Sequence, residues 1–141
     1  MAKRVYGKKI QDDVILDKYA LDVEAENQPS LLLAWTDQTA EARQKKEQLE
    51  RFLKTRTSEL EMEVRRGSPK DYGLEKFIEV SIDSIVGSYP ELAKITEEML
   101  AAREEHLLCE NAVDAIREKG RMVSVEKDLW IAGYYSASNN V

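Results

Sequence analysis

Apolar positions along this chain repeat mostly at the spacing of a helix rather than in the alternation of a strand. Between Asp12 and Asn27, Leu16, Ala20, Leu21 and Val23 follow one another at near-helical intervals and predict a helix. Pro29 interrupts it; it either opens the next helix, where its missing N–H costs little, or kinks a continuous one. From Ser30 to Arg66 there is neither Gly nor Pro, and helix-forming residues dominate. That stretch predicts a helix of about 55 Å. A seven-residue frame through Leu32, Trp35, Thr39, Ala42, Lys46, Leu49, Leu53, Arg56 and Leu60 is apolar at first and then mixed. Lys46 and Arg56 do not suit a pure coiled-coil seam. They imply a partly covered face, or a groove kept open for something anionic.

The segment Arg66 to Gly73 is the clearest loop, with Gly67 as a helix C-cap and Pro69 soon after. Leu74, Phe77, Ile78, Ile82, Ile85 and Val86 mark a short helix that ends at Gly87-Ser88-Tyr89-Pro90. Pro90 opens a long helix through Leu92, Ile95, Met99, Ala102, His106, Cys109, Val113 and Ile116. Lys119-Gly120 predicts its stop, with Arg117 and Lys119 at the negative end of its dipole. Ser124 then caps a last short helix carrying Val125, Leu129, Trp130 and Ile131, and Gly133 to Val141 reads as a frayed tail. Only Arg121 to Val125 has any strand character, and it is weak. The expected fold is all-α, with long helices over about 30–66 and 90–119. The expected domains are a basic flexible arm over 1–11, one helical domain over 12–132, and the tail over 133–141.

Composition agrees with long amphipathic helices. Charged residues make up 34% of the 141, Pro and Gly number three and six, and 43% hydrophobic residues is too many for a disordered chain. Long thin helices bury less surface per residue than a sphere does, which points to self-association. Trp35, Trp130, Tyr134 and Tyr135 add apolar area that a thin monomer would not cover. Leu129, Trp130 and Ile131 are the first candidates for an intersubunit contact; the alternative for Trp130 is the monomer's own core. A single Cys gives no intramolecular disulfide, no stretch reaches the length of a membrane span, and the basic start carries no hydrophobic signal region. A cytoplasmic location is the expectation.

The net charge of −6 hides an uneven distribution. Residues 43–56 hold six basic side chains (Arg43, Lys45, Lys46, Arg51, Lys54 and Arg56) against two acidic ones, a local charge of +4. Residues 71–115 hold eleven acidic side chains against three basic ones, a local charge of −8. The basic band is where a polyanion can sit. The N-terminal arm, with four basic residues in nine and Tyr6, is either a solubilising tail or a second grip on phosphate and base.

Chemistry of other kinds is missing from the pattern. His106 is the only His, and with Cys109 it supplies two of the four ligands that a structural zinc site needs. No Gly-rich phosphate loop ending in Lys-Ser or Lys-Thr occurs. The carboxylates are scattered along solvated faces. Catalytic residues, a metal and a cofactor are not expected. Cys109 shares a helical stripe with Ala102, His106, Val113 and Ile116, and is expected to be structural.

Three blocks of residues resemble, in order, the UvsY recombination mediator family of T-even phages. The first is Asp13-Val14-Ile15-Leu16-Asp17, then Leu21, Glu24-Ala25, Leu31 or Leu32, and Trp35. The second is Leu53-Lys54-Thr55-Arg56 followed by Arg66-Gly67, and the third is Cys109, Val113-Asp114-Ala115-Ile116 and Lys119-Gly120. The likeness covers about residues 12 to 122. It implies a non-enzymatic, ring-like homo-oligomer that binds single-stranded DNA. Such a protein helps a RecA-like recombinase of the phage load in place of the single-strand-binding protein. With a gap before Arg66-Gly67, the family's basic pair falls on Lys54 and Arg56; without one, it falls on Ser58 and Leu60. Lys54 and Arg56 are therefore the first candidate DNA contacts, with Arg43, Lys45, Lys46 and Arg51 around them. Arg65 and Arg66 at the helix end are the alternative. A competing expectation is a helical structural or chaperone-like phage assembly protein without a DNA role.

Overall fold

The computed structural model describes residues 9–133, so Tyr6, Tyr134, Tyr135 and most of the basic arm and tail lie outside the described residues. All regular structure among the described residues is helical. A short helix α1 covers 9–14, α2 is Leu21–Arg66, a 3₁₀ turn is Pro69–Tyr72, α3 is Glu79–Gly87 and α4 is Pro90–Ile131. The all-α expectation holds, and no strand occurs among the described residues.

Three boundaries differ from those read along the sequence. The helix expected over 12–27 is broken: α1 stops at residue 14, and 15–20 are not helical. Asp17 makes the break, its side chain accepting from Tyr19 N at 2.9 Å and its carbonyl from Ala20 N at 3.1 Å. Ala20 O then accepts the first bond of α2, from Glu24 N at 3.0 Å. The second difference is that α2 starts at Leu21 rather than near residue 30, so that Pro29 lies within one continuous helix, the second of the two alternatives. A proline inside a helix costs about 3 kcal/mol, but contacts on both sides hold this one in register. Before it, Gln28 Nε2 donates to Ile116 O at 2.6 Å; after it, Leu31 and Leu32 pack on the core around Trp35.

The third difference is that α4 does not stop at Lys119-Gly120 and needs no new cap at Ser124. Gly120 is a point of close approach instead. A Cβ there would meet Gln28 Nε2 at 2.7 Å, so its missing side chain makes room for the Gln28–Ile116 bond. Lys119 turns inward rather than serving a helix end. Its side chain is only 8% exposed, and Nζ meets Glu24 Oε2 and Asp13 O, both at 2.8 Å.

The remaining ends follow local rules. Asp22 and Glu24 open α2, and Arg65 and Arg66 close it, each sign matched to the dipole. Gly67 N donates to Glu63 O and Val64 O, and Gly73 closes the 3₁₀ turn at φ 73°, a left-handed conformation that favours glycine. α3 starts at Glu79, later than the apolar run, with Ser81 Oγ accepting from Ile78 N at 3.1 Å. Leu74 and Phe77 precede it in the loop, where Tyr72 and Phe77 pack with ring centroids 6.0 Å apart.

The chain divides into two compact units whose boundaries fall inside α2 and α4. One comprises the chain up to Ala42 and from Glu105 onward; the other is Arg43–Glu104. In the first, Trp35, 1% exposed, packs with Ala42, Cys109, Ala112, Val113 and Ile116, while Ile10 and Val14 of α1 close over them. Asp13 accepts from Trp35 Nε1 at 2.9 Å, which ties α1 to α2. Trp35 is thus covered by its own chain and does not contribute to the exposed apolar surface expected of it. Cys109 is buried, and that burial pushes its thiol pKa up, with Glu105 adding to the shift. In the second unit, Leu60, Val64, Ile82, Val86, Leu92 and Ile95 form an aliphatic core, with Leu53, Phe77, Ile85 and Tyr89 around it.

Candidate nucleic-acid interface

The basic band belongs to α2, and its geometry follows from the helix. Residues eleven apart return to within about 20° of one another, some 16 Å further along the axis. Arg43, Lys54 and Arg65 therefore share one face, and Lys45 and Arg56 share another. Arg43, Lys45, Arg51, Lys54, Arg65 and Arg66 are exposed; Lys46 and Arg56, the two cations inside the seven-residue frame, are half-buried. The frame otherwise faces inward, with Trp35, Thr39, Ala42 and Leu60 buried.

Two of the candidates are held by carboxylates. Arg56 makes a bidentate pair with Glu91 of α4, Nε to Oε1 at 2.7 Å and Nη2 to Oε2 at 3.1 Å, and a third bond to Glu59 at 3.0 Å. These bonds raise the Arg56 pKa further and hold the Glu91 carboxyl below the usual range. At Arg56 the charge inside the frame is thus met by carboxylates rather than left over an open groove. Arg65 Nη2 bonds both carboxylate oxygens of Glu79 in α3, at 2.8 and 2.9 Å, which raises its pKa in the same way. Ion pairs this exposed contribute little to stability and exchange partners readily.

Lys54 has a different setting. It lines a shallow groove of about 500 Å³ within the Arg43–Glu104 unit, together with Leu53, Thr57, Ser58, Met99 and Arg103. Arg103 comes from α4, where Nε meets Glu50 Oε1 at 3.0 Å across the groove. Lys54 and the Ser58 hydroxyl can meet a phosphate there, joined by Arg103 when it leaves Glu50; the Thr57 hydroxyl already donates to Leu53 O at 2.7 Å. Arg103 is absent from the sequence-derived set because it stands in the strongly acidic stretch 71–115, where the local average conceals it. Its placement opposite Glu50 and Lys54 depends on how α2 and α4 pack.

The candidate assembly residues lie elsewhere, at the end of α4. Leu129 and Trp130 are half-buried, Trp130 Nε1 donates to Lys18 O at 3.0 Å, and Ile131 is 74% exposed. Trp130 therefore has contacts within its own chain, whereas Ile131 stays uncovered. Among the described residues, no three His, Cys, Asp or Glu side chains are placed to hold a metal ion, and no helix is long and apolar enough to cross a membrane. No family model, curated protein or solved structure matches the chain.

Proposed function

We propose that this chain is a recombination mediator of the UvsY type. It binds single-stranded DNA and promotes loading of a RecA-like recombinase in place of the single-strand-binding protein, acting by differential binding rather than catalysis. The observation that carries the reading is the Lys54 groove: in a protein of net charge −6, Lys54 and Arg103 line one groove with the Ser58 hydroxyl and a single carboxylate, Glu50, which holds Arg103. The order of the three sequence blocks supports it. So does the burial of Leu60, which favours Lys54 and Arg56 over Ser58 and Leu60 as the counterpart of the family's basic pair. Arg43 extends the same face, and Arg51 and Lys46 flank it; Arg66 marks its far end. Arg56 joins only by leaving Glu91 and Glu59, Arg65 by leaving Glu79, and Arg103 by leaving Glu50. Assembly into a ring multiplies a weak single-subunit site through effective concentration.

The test is titration of a labelled single-stranded oligonucleotide at two salt concentrations, followed by recombinase loading on a strand coated with single-strand-binding protein. The expected result is sequence-tolerant binding that weakens with salt, by about 0.7 in the log–log slope for each phosphate contacted. Absence of binding at low salt refutes the reading. It then favours the structural assembly protein, for which the carboxylates already bound to Arg56 and Arg65 speak.

A further inference from the structure

The break at residues 15–20 builds a crevice that the basic band does not explain. Its volume is about 350 Å³, within the range of ligand pockets, and it lies wholly within the unit that contains Trp35. Tyr19 and Trp130 supply its aromatic walls, Lys18 and Lys127 its positive charge, and Asp22 its one carboxylate. Tyr19 is 76% exposed, an unusual setting for an aromatic ring held in place by its backbone. Its N–H is fixed to Asp17 Oδ1, and the neighbouring Lys18 carbonyl is fixed by Trp130 Nε1. The two rings meet edge to face at 6.4 Å, and Lys18 Nζ stands over the Tyr19 ring, 5.1 Å from its centroid.

We propose that this crevice takes one nucleobase of a single strand, stacked on Tyr19, while Lys18 and Lys127 hold the adjoining phosphates. This rests on the single-strand-binding reading and adds to it a second contact on a different unit from the Lys54 groove. The chemistry favours a base because every base offers a π-face, so a presented aromatic ring gains stacking energy whatever the sequence. The flanking lysines match a ligand with anionic groups on both sides of a flat ring. Trp130 frames the base edge-on and stiffens the ledge that carries Tyr19. Tyr19 is thus a binding residue, and Trp130 a positioning residue.

The experiment compares two labelled strands of equal length, oligo-dT and the same strand with its bases removed, bound to the full chain. Phosphate contacts treat the two alike, so the ratio of affinities reads stacking alone. The wild-type protein is expected to prefer oligo-dT about fivefold or more. Tyr19→Ala should abolish that preference without weakening binding of the abasic strand, and Tyr19→Phe should restore it. Quenching of Trp130 fluorescence by oligo-dT but not by the abasic strand should accompany binding, with buried Trp35 as a constant background. Equal affinity of wild type for both strands, or a preference that survives Tyr19→Ala, overturns the inference while leaving the groove reading intact. Binding to neither strand overturns the function itself. A Tyr19→Ala protein that sediments in a different assembly state also overturns the inference and makes the crevice a contact between copies.

Discussion

The unit around Trp35 takes polar groups inside, whereas the Arg43–Glu104 unit leaves them at its rim. In the first, Lys119 reaches Glu24 and Asp13, Asp13 also holds the indole of Trp35, and Gln28 reaches Ile116. In the second, the core is aliphatic, and the long-range ion pairs Arg56–Glu91, Arg65–Glu79 and Arg103–Glu50 lie exposed or half-exposed. The difference follows from where each charge must live. A buried charge or amide fixes one partner and one register, because leaving it unpaired costs several kcal/mol. A solvated pair fixes little and can trade a carboxylate for a phosphate at small cost. The same helices thereby serve as scaffold in one unit and as an exchangeable charged surface in the other.

The sharpest way to break this contrast is at Trp35. Trp35→Ala should destabilise its unit by about 3–5 kcal/mol, because it empties the largest core position and strands Asp13. Urea unfolding followed by the fluorescence of Trp130 measures it, since both tryptophans belong to that unit. Next in size is Lys119→Ala, expected to cost about 3 kcal/mol in the same assay, because Glu24 loses its partner where water reaches it poorly. Arg65→Ala, at a rim pair, should change thermal unfolding by circular dichroism hardly at all. A Lys119 variant as mild as the Arg65 variant would erase the distinction between the units.

Smaller effects sharpen it. Gly120→Ala should gain about 1 kcal/mol of helix propensity in a Gln28→Ala background and much less in wild type, where the new Cβ displaces Gln28. A double-mutant cycle by denaturant titration reads that coupling. On the binding side, Lys54→Ala should flatten the salt slope for single strands by about 0.7. Arg56→Ala should flatten it less, because Arg56 already holds two carboxylates. An equal loss from both would place Arg56 in direct contact with DNA. The smallest effect concerns acid. Glu91 binds its proton less readily in the folded chain, so its contribution is complete at neutral pH and declines as pH falls through its lowered pKa. Glu91→Gln should remove that part of the pH dependence of the melting temperature below about pH 4.5.

What the sequence determined by itself is local. Helical periodicity, the run without Gly or Pro from Ser30 to Arg66, and the Gly67 to Gly73 loop place the elements, because hydrogen bonding and propensity act over a few residues. The individual cations of the candidate site were legible for the same reason, as was the inward stripe that carries Cys109. The break at Asp17 rests on turn bonds two and three residues apart, a local signal hidden by the helical spacing around it. Tertiary structure decided that α2 passes Pro29 and that α4 passes Gly120. Local preferences of about 1–3 kcal/mol are outweighed there by bonds between residues far apart in the chain, such as Gln28 to Ile116 and Trp130 to Lys18. It also decided which carboxylate each arginine meets and which cations stand side by side, Arg103 being paired with Glu50 as Arg56 is with Glu91. Arg56 meets Glu91, and Arg103 stands beside Lys54, because α2 packs against α4, and no spacing within either helix encodes that pairing.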